Sequence, residues 1–163
     1  MFRYALIGIL AFGAAAVAVK AVVRLDEARQ AQAPAAVSAP MAATARIERS
    51  GDGHYWADGE VDGEPVRFLV DTGATAVALT PDDAERVGLN PRGLDYDLEV
   101  VTAQGRARAA KVMLETLSVD GAEVDDVEAL VIEQGLQTSL LGMSYLGRLS
   151  RFEASPQALE LEP

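Results

Sequence analysis

The chain has 163 residues, which suits one globular domain of ~100–150 residues with an appendage and leaves no room for a second domain of ordinary size. Its formal charge is −11, and from Arg46 onward ten Arg and Lys stand against twenty-three Asp and Glu, a balance of −13, which argues against a nucleic-acid partner. Without any cysteine there are neither disulfides nor thiolate metal sites, and cysteine usage does not decide the compartment.

Residues 4–19 carry no charge, and continuing through Lys20 to position 23 gives twenty residues, close to the ~20 needed to cross a hydrocarbon core. Lys20 sits where it could snorkel to the interface. A cleaved signal peptide competes with this reading, since Arg3 and the Ala-rich tail fit part of its pattern. The length of the apolar run, with Lys20 and Arg24 directly after it, favours an uncleaved anchor over residues 1–24. A buried core helix is disfavoured because an Ala/Pro-rich tract isolates the segment from everything that follows. Residues 25–46 form that tract, with too few bulky apolar side chains to bury, and read as a tether. Its stretch 26–32 could prolong the anchor helix before Pro34 stops it.

From Ile47 the pattern changes to short apolar runs punctuated by Gly and Asp, the signature of an all-β domain over residues 47–163. Runs at 55–61 and 66–70 flank Asp62-Gly63-Glu64-Pro65, and an Asp-Gly between apolar runs predicts a hairpin. His54 is the only histidine and has no carboxylate or cysteine cluster beside it in sequence, so no role is assigned to it. Phe68, Leu69 and Val70 suit a strand covered on both faces, and the run stops at Asp71 before turning through Thr72, Gly73 and Ala74. A lone ionised carboxylate at the end of a core strand is penalised by several kcal/mol, so Asp71 needs a hydrogen-bonded partner, a cation, or a reason to hold a proton. That marks it as a working residue.

Val77, Ala78 and Leu79 predict another short strand. Thr80 then caps a short helix with Pro81 at its first position, acids in its first turn and Gly88 at its end. The helix dipole accounts for Asp82, Asp83 and Glu85 better than a metal does, because no glycine-punctuated ligand loop surrounds them. Residues 98–103 and 107–117 are strand-like, with Thr102, Ala103, Gln104 and Gly105 as the hairpin tip between them. Asp120-Gly121 signals a second hairpin, followed by Val124, Val127, Leu130 and Val131 as apolar positions and by Asp125, Asp126 and Glu128 as a solvated face. Ser139, Leu140, Leu141 and Gly142 form a second apolar-apolar-Gly element running into a predicted helix on which Leu146 and Leu149 share a face. Residues 151–154 and 159–161 close the chain as strands.

The run Phe68-Leu69-Val70-Asp71-Thr72-Gly73-Ala74, followed about seventy residues later by Leu140-Leu141-Gly142, resembles the paired signature of retropepsin-like aspartic proteases, and most closely their single-lobe, membrane-anchored bacterial type. The likeness covers roughly residues 53–161. It implies a small closed all-β acid-protease barrel with one or two short helices, here behind an N-terminal transmembrane helix. It also implies a catalytic Asp71 supported by Thr72, Gly73 and Ala74, a flap formed by Thr102, Ala103, Gln104 and Gly105, and terminal strands that contribute to a dimer sheet. The partners implied are a second copy of the chain and an extended peptide or protein substrate, with no cofactor and no metal. An outward, periplasmic or extracytoplasmic domain follows from the resemblance alone, because the positive charges flanking residues 4–23 do not favour it.

Alternatives from other chemistries fit less well. A noncatalytic peptide-binding or assembly domain could keep the same barrel. Aspartyl-phosphate chemistry would want another Asp two positions after Asp71 or a Lys directly after it, where Gly73 and Thr72 stand. Serine-triad hydrolysis lacks a Gly-x-Ser-x-Gly partner for His54.

Overall fold

The computed structural model describes residues 44–163, so the predicted anchor, most of the tether and the stretch 26–32 lie outside the described residues. Within them no helix is long and apolar enough to cross a membrane. Ten strands, two short helices and one 3-10 turn make up the domain.

Strand β1 (Ala45–Glu48) starts two residues before the expected domain boundary at Ile47. It belongs to the domain because Ala45 and Ile47 are buried and pair with Leu161 and Leu159. Strands β2 (Trp56–Val61) and β3 (Glu64–Val70) form the predicted hairpin with a tighter turn than its four-residue signal. Only Asp62 (φ 51) and Gly63 (φ 85) make the turn, the left-handed pair that matches the twist of two-residue hairpins. Pro65 therefore lies inside β3, opposite Glu60. There β3 has one neighbour, so the missing N–H costs no ladder bond.

Strand β4 (Val77–Leu79) leads into helix α1 (Pro81–Arg86), capped as its sequence predicts: the Thr80 hydroxyl accepts from the Asp83 amide. A 3-10 turn (Pro91–Gly93) follows, then β5 (Leu98–Thr102), β6 (Gly105–Val119) and β7 (Ala122–Ile132). Strand β8 (Ser139–Leu141) enters helix α2 (Met143–Leu146), and β9 (Arg151–Ala154) and β10 (Ala158–Glu162) end the chain. Helix α2 stops well before Leu149, against expectation, because Gly147 occupies its C-cap. Leu149 is nevertheless buried, reaching the core from the turn beyond.

The strand order β2-β3-β8-β4-β7-β6 closes on itself through a β2–β6 pairing, giving a six-stranded barrel with β5 attached outside the ring to the first half of β6. Closure depends on Gly59, opposite Val119, where a Cβ would sit 2.8 Å from the Ser118 carbonyl oxygen. Asp62 locks the seam: its amide donates to the Thr116 carbonyl (3.1 Å) and its carboxylate accepts from the Thr116 amide (2.7 Å). Phe68, Leu79, Leu114, Leu117, Leu141 and Tyr145 fill the interior, each contributing about 1.5–3 kcal/mol of transfer free energy. Burial raises the Tyr145 phenol well above its usual range, and its hydroxyl donates to the Ala122 carbonyl at 2.7 Å. Strands β1, β10 and β9 form a separate three-stranded sheet.

The β6–β7 hairpin bends midway. Glu115 and Asp126 drop out of the ladder, Asp126 adopts φ 50, and the buried positions shift phase from Ala122 and Val124 to Val127, Ala129 and Val131. The Arg148 guanidinium donates to the carbonyls of Asp125 (2.5 Å) and Asp126 (2.9 Å), holding the bend. The three acids Asp125, Asp126 and Glu128 lie exposed, and Leu130 is half-buried.

Candidate active site

Asp71 stands where β3 leaves the barrel. Its amide donates to the Leu141 carbonyl (3.1 Å), continuing the parallel β3–β8 pairing by one bond, and its carbonyl accepts from the Ala74 amide (3.2 Å) to close a turn. The Gly73 amide donates to Asp71 Oδ1 at 2.8 Å, so the carboxylate is fixed by its own loop. Gly73 serves a close approach and not a left-handed turn, since a Cβ there would lie 3.1 Å from Asp71 Oδ1. No second hydrogen bond reaches the carboxylate among the described residues, and no buried polar side-chain atom is left without a partner, so Oδ2 is open to the cleft.

The second signature element lies beneath this loop. Gly142 packs against residues 74–76 so closely that a Cβ would fall 2.1 Å from the Ala76 carbonyl oxygen and 2.9 Å from that of Ala74. The Met143 amide donates to the Ala74 carbonyl (2.9 Å), and the Ser144 hydroxyl accepts from the Val77 amide (2.8 Å). Farther down, the buried Ser139 hydroxyl accepts from the Thr80 amide (3.1 Å) and donates to Asp83 Oδ2 (2.5 Å), tying β8 to the cap of α1. The glycine was legible in the sequence; the serines at 139 and 144 were not assigned a role. Their signal was present as polar residues flanking an otherwise apolar strand.

Across the cleft is the β5–β6 tip. Thr102 Oγ1 donates to the Gly105 carbonyl (3.0 Å) and accepts from the Gln104 amide (3.2 Å), and Gly105 takes φ +114. Val101 is 81% exposed at this tip. Gln104 approaches the loop at 133–138, where a Cβ on Gly135 would lie 3.7 Å from its Oε1.

The structure thus brings Asp71, Gly73, Ala74, Thr102, Ala103, Gln104 and Leu140 to one cleft of about 640 Å³. Thr72 is exposed and makes no hydrogen bond among the described residues, while Leu141 is fully buried in the core and Gly142 lies under the loop. One expectation is corrected: β3 is not covered on both faces, because Leu69 is half-exposed and forms part of the cleft wall. The strand's interior face is the one carrying Val66 and Phe68. Ala76, Ala78, Val100, Leu130 and Ile132 also line the cleft and had no assigned role. They come from β4, β5, β7 and the loop before β4, and only long-range strand pairing brings them together.

Asp71 is the sole charged side chain in the lining, facing mostly apolar and small neighbours. Such a wall suits an apolar, extended chain presented to a single carboxylate. Among the described residues no three His, Asp or Glu side chains converge on a metal-holding group.

Residues 57–148 match the family model described as gag-polyprotein putative aspartyl protease. The chain is 40% identical over 116 residues to an uncharacterized protein encoded in the cobV 5′ region of Sinorhizobium sp, covering 71% of this chain and 50% of that protein. It is 37% identical over 115 residues to an uncharacterized protein of Rickettsia prowazekii (strain Madrid E), covering 71% of this chain and 49% of that protein. The chain spans about half the length of these two relatives. A crystal structure of a retropepsin-like aspartic protease from Rickettsia conorii superposes with a TM-score of 0.66 at 34% identity, covering 73% of this chain and 98% of that one.

Proposed function

We propose that this chain, which belongs to the retropepsin-like gag-polyprotein putative aspartyl protease family, is an aspartic endopeptidase whose catalytic group is Asp71. The observation that carries the reading is a carboxylate with one oxygen fixed by the Gly73 amide and the other open to an otherwise uncharged cleft beneath a hairpin tip.

One carboxylate is insufficient for peptide hydrolysis, which needs a base for the attacking water and an acid for the carbonyl oxygen in the same moment. The chain supplies a single Asp-Thr-Gly, so two copies of Asp71 meeting across a two-fold axis complete the pair. Two carboxylates within ~3 Å share a proton and titrate together, the established behaviour of aspartic-protease dyads. The ionised partner takes a proton from water as its oxygen bonds to the carbonyl carbon, and the protonated partner donates to the carbonyl oxygen. Collapse of the tetrahedral intermediate breaks the C–N bond, with a dyad proton passing to the leaving amine. Thr72, exposed in one chain, has its hydroxyl available to the facing loop, and Thr102, Ala103, Gln104 and Gly105 act as a flap that excludes water and pairs with the substrate backbone. In the full chain the segment 4–23 anchors this domain to a membrane, with the domain on the periplasmic or extracytoplasmic side; carbonate-resistant membrane fractionation and protease accessibility in spheroplasts test that placement.

Asp71→Asn is expected to lower peptide-bond cleavage at least about a hundredfold while the protein stays folded. Cleavage that survives the substitution overturns the assignment, and a folded chain that binds peptides without cutting them supports a noncatalytic binding domain instead. Specific activity should also fall on dilution through the dimer dissociation range.

A further inference from the structure

The outer face of β2–β3 carries an aromatic platform next to the cleft. Trp56 is the only tryptophan of the chain, and it stands directly across the strand pair from Leu69, the residue of β3 that forms part of the cleft wall. Both side chains are half-buried. Leu69 and Asp71 share a face of β3, since side chains two apart on a strand point the same way. The indole is held in place from two sides: its Nε1 donates to Asp52 Oδ2 at 2.9 Å, and the Arg67 guanidinium lies 5.3 Å from the ring centroid.

The polar groups around the ring have partners of their own. Asp52 also accepts from the His54 amide at 2.9 Å, and that bond, with the Trp56 bond after it, keeps its carboxyl below the usual range. Arg67 Nε lies 3.9 Å from Asp58 Oδ1. Trp56 itself lies outside the cleft lining, one strand beyond Leu69, and these pairings leave part of its side chain exposed. A half-exposed aromatic side chain pinned in one orientation offers contact area at little entropic cost on binding.

We propose that Trp56 and Leu69 form an outer subsite of the cleft that selects a bulky apolar or aromatic side chain of an extended peptide. The position follows from strand spacing: two residues along β3 and one strand over put Trp56 about 8 Å from Asp71, the reach of the third residue from the scissile bond. In a symmetric dimer each protomer contributes one such platform, so the preference applies on both sides of the bond. The proposal rests on the reading of the Asp71 cleft as a peptide site.

The test uses the full-length chain in detergent carrying Asp71→Asn, so that binding is read without turnover. The probes are three peptides with one apolar central pair, bearing Phe, Ala or Lys at the third position on either side. Trp56 emission, the only tryptophan signal, should shift on titration with the Phe peptide, which binds about fivefold tighter than the Ala peptide and tighter still than the Lys peptide. Trp56→Ala, followed by anisotropy of labelled peptides, removes that preference, whereas Trp56→Phe retains it. In the cleavage-competent protein Trp56→Ala raises KM for the Phe peptide about fivefold and leaves kcat unchanged. Equal affinity for the three peptides, absence of binding included, or a preference that outlives Trp56→Ala overturns the subsite. Failure of the protease reading shows separately, as no cleavage of these peptides by the protein with Asp71 intact or as cleavage by the Asp71→Asn protein.

Discussion

The end of β3 and the tip of the β5–β6 hairpin face each other across one cleft, and they are held in opposite ways. The base is laced from below by main-chain bonds to Leu141 and Met143 and by the Ser144 hydroxyl, and Gly142 touches it at a distance no other residue permits. The tip is organised by its own Thr102 hydroxyl and a glycine at φ +114, with Val101 out in solvent. On the proposed function, the carboxylate that would act in the reaction sits on the part with many independent restraints, and the segment that would admit a chain sits on the part with few.

That contrast is most sharply broken by Gly142→Ala, which forces a Cβ onto the Ala76 carbonyl. We expect a loss above about 4 kcal/mol, read as failure to accumulate folded protein or a collapse of the denaturation midpoint; a near-normal midpoint would mean the base yields more than its contacts suggest. Ser139→Ala strips partners from the Thr80 amide and the Asp83 carboxylate, which costs about 1–3 kcal/mol in equilibrium unfolding. Gly105→Ala should have the smallest effect on global stability, about 1 kcal/mol, because nothing lies within 4 Å of the added Cβ and the tip can rearrange locally to relieve the strain at φ +114. Its signature lies elsewhere: faster amide exchange over residues 100–107 and altered peptide turnover, with the melting curve nearly unchanged. A global loss as large as that of Ser139→Ala would erase the distinction between the two regions.

Much of this arrangement was readable from local signals. Asp62-Gly63 and Asp120-Gly121 mark their turns because left-handed backbone selects those residues, and Thr80-Pro81 marks the start of α1 because its cap is built within four residues. The carboxylate and the glycine at 142 were legible as interruptions of apolar strands. Features set by distant pairing were not. Leu69 looks like a core residue until closure of the ring decides which face of β3 is outside, and the role of Gly59 exists only because Val119 arrives opposite it. The phase shift at Asp126 depends on the Arg148 guanidinium, which lies 22 positions away in sequence. The early stop of α2 at Leu146 was the exception, a local glycine signal outweighed in the sequence reading by the spacing of Leu146 and Leu149.

The small sheet β1-β10-β9 brings opposite ends of the described chain side by side, with Ala45 across from Leu161. A fluorescent reporter fused after Pro163 would therefore emerge beside the point where residues 1–43 join the domain. The same adjacency makes the domain a candidate for circular permutation: a short linker joining the two ends and new termini opened at the exposed Asp120-Gly121 turn would preserve every strand register.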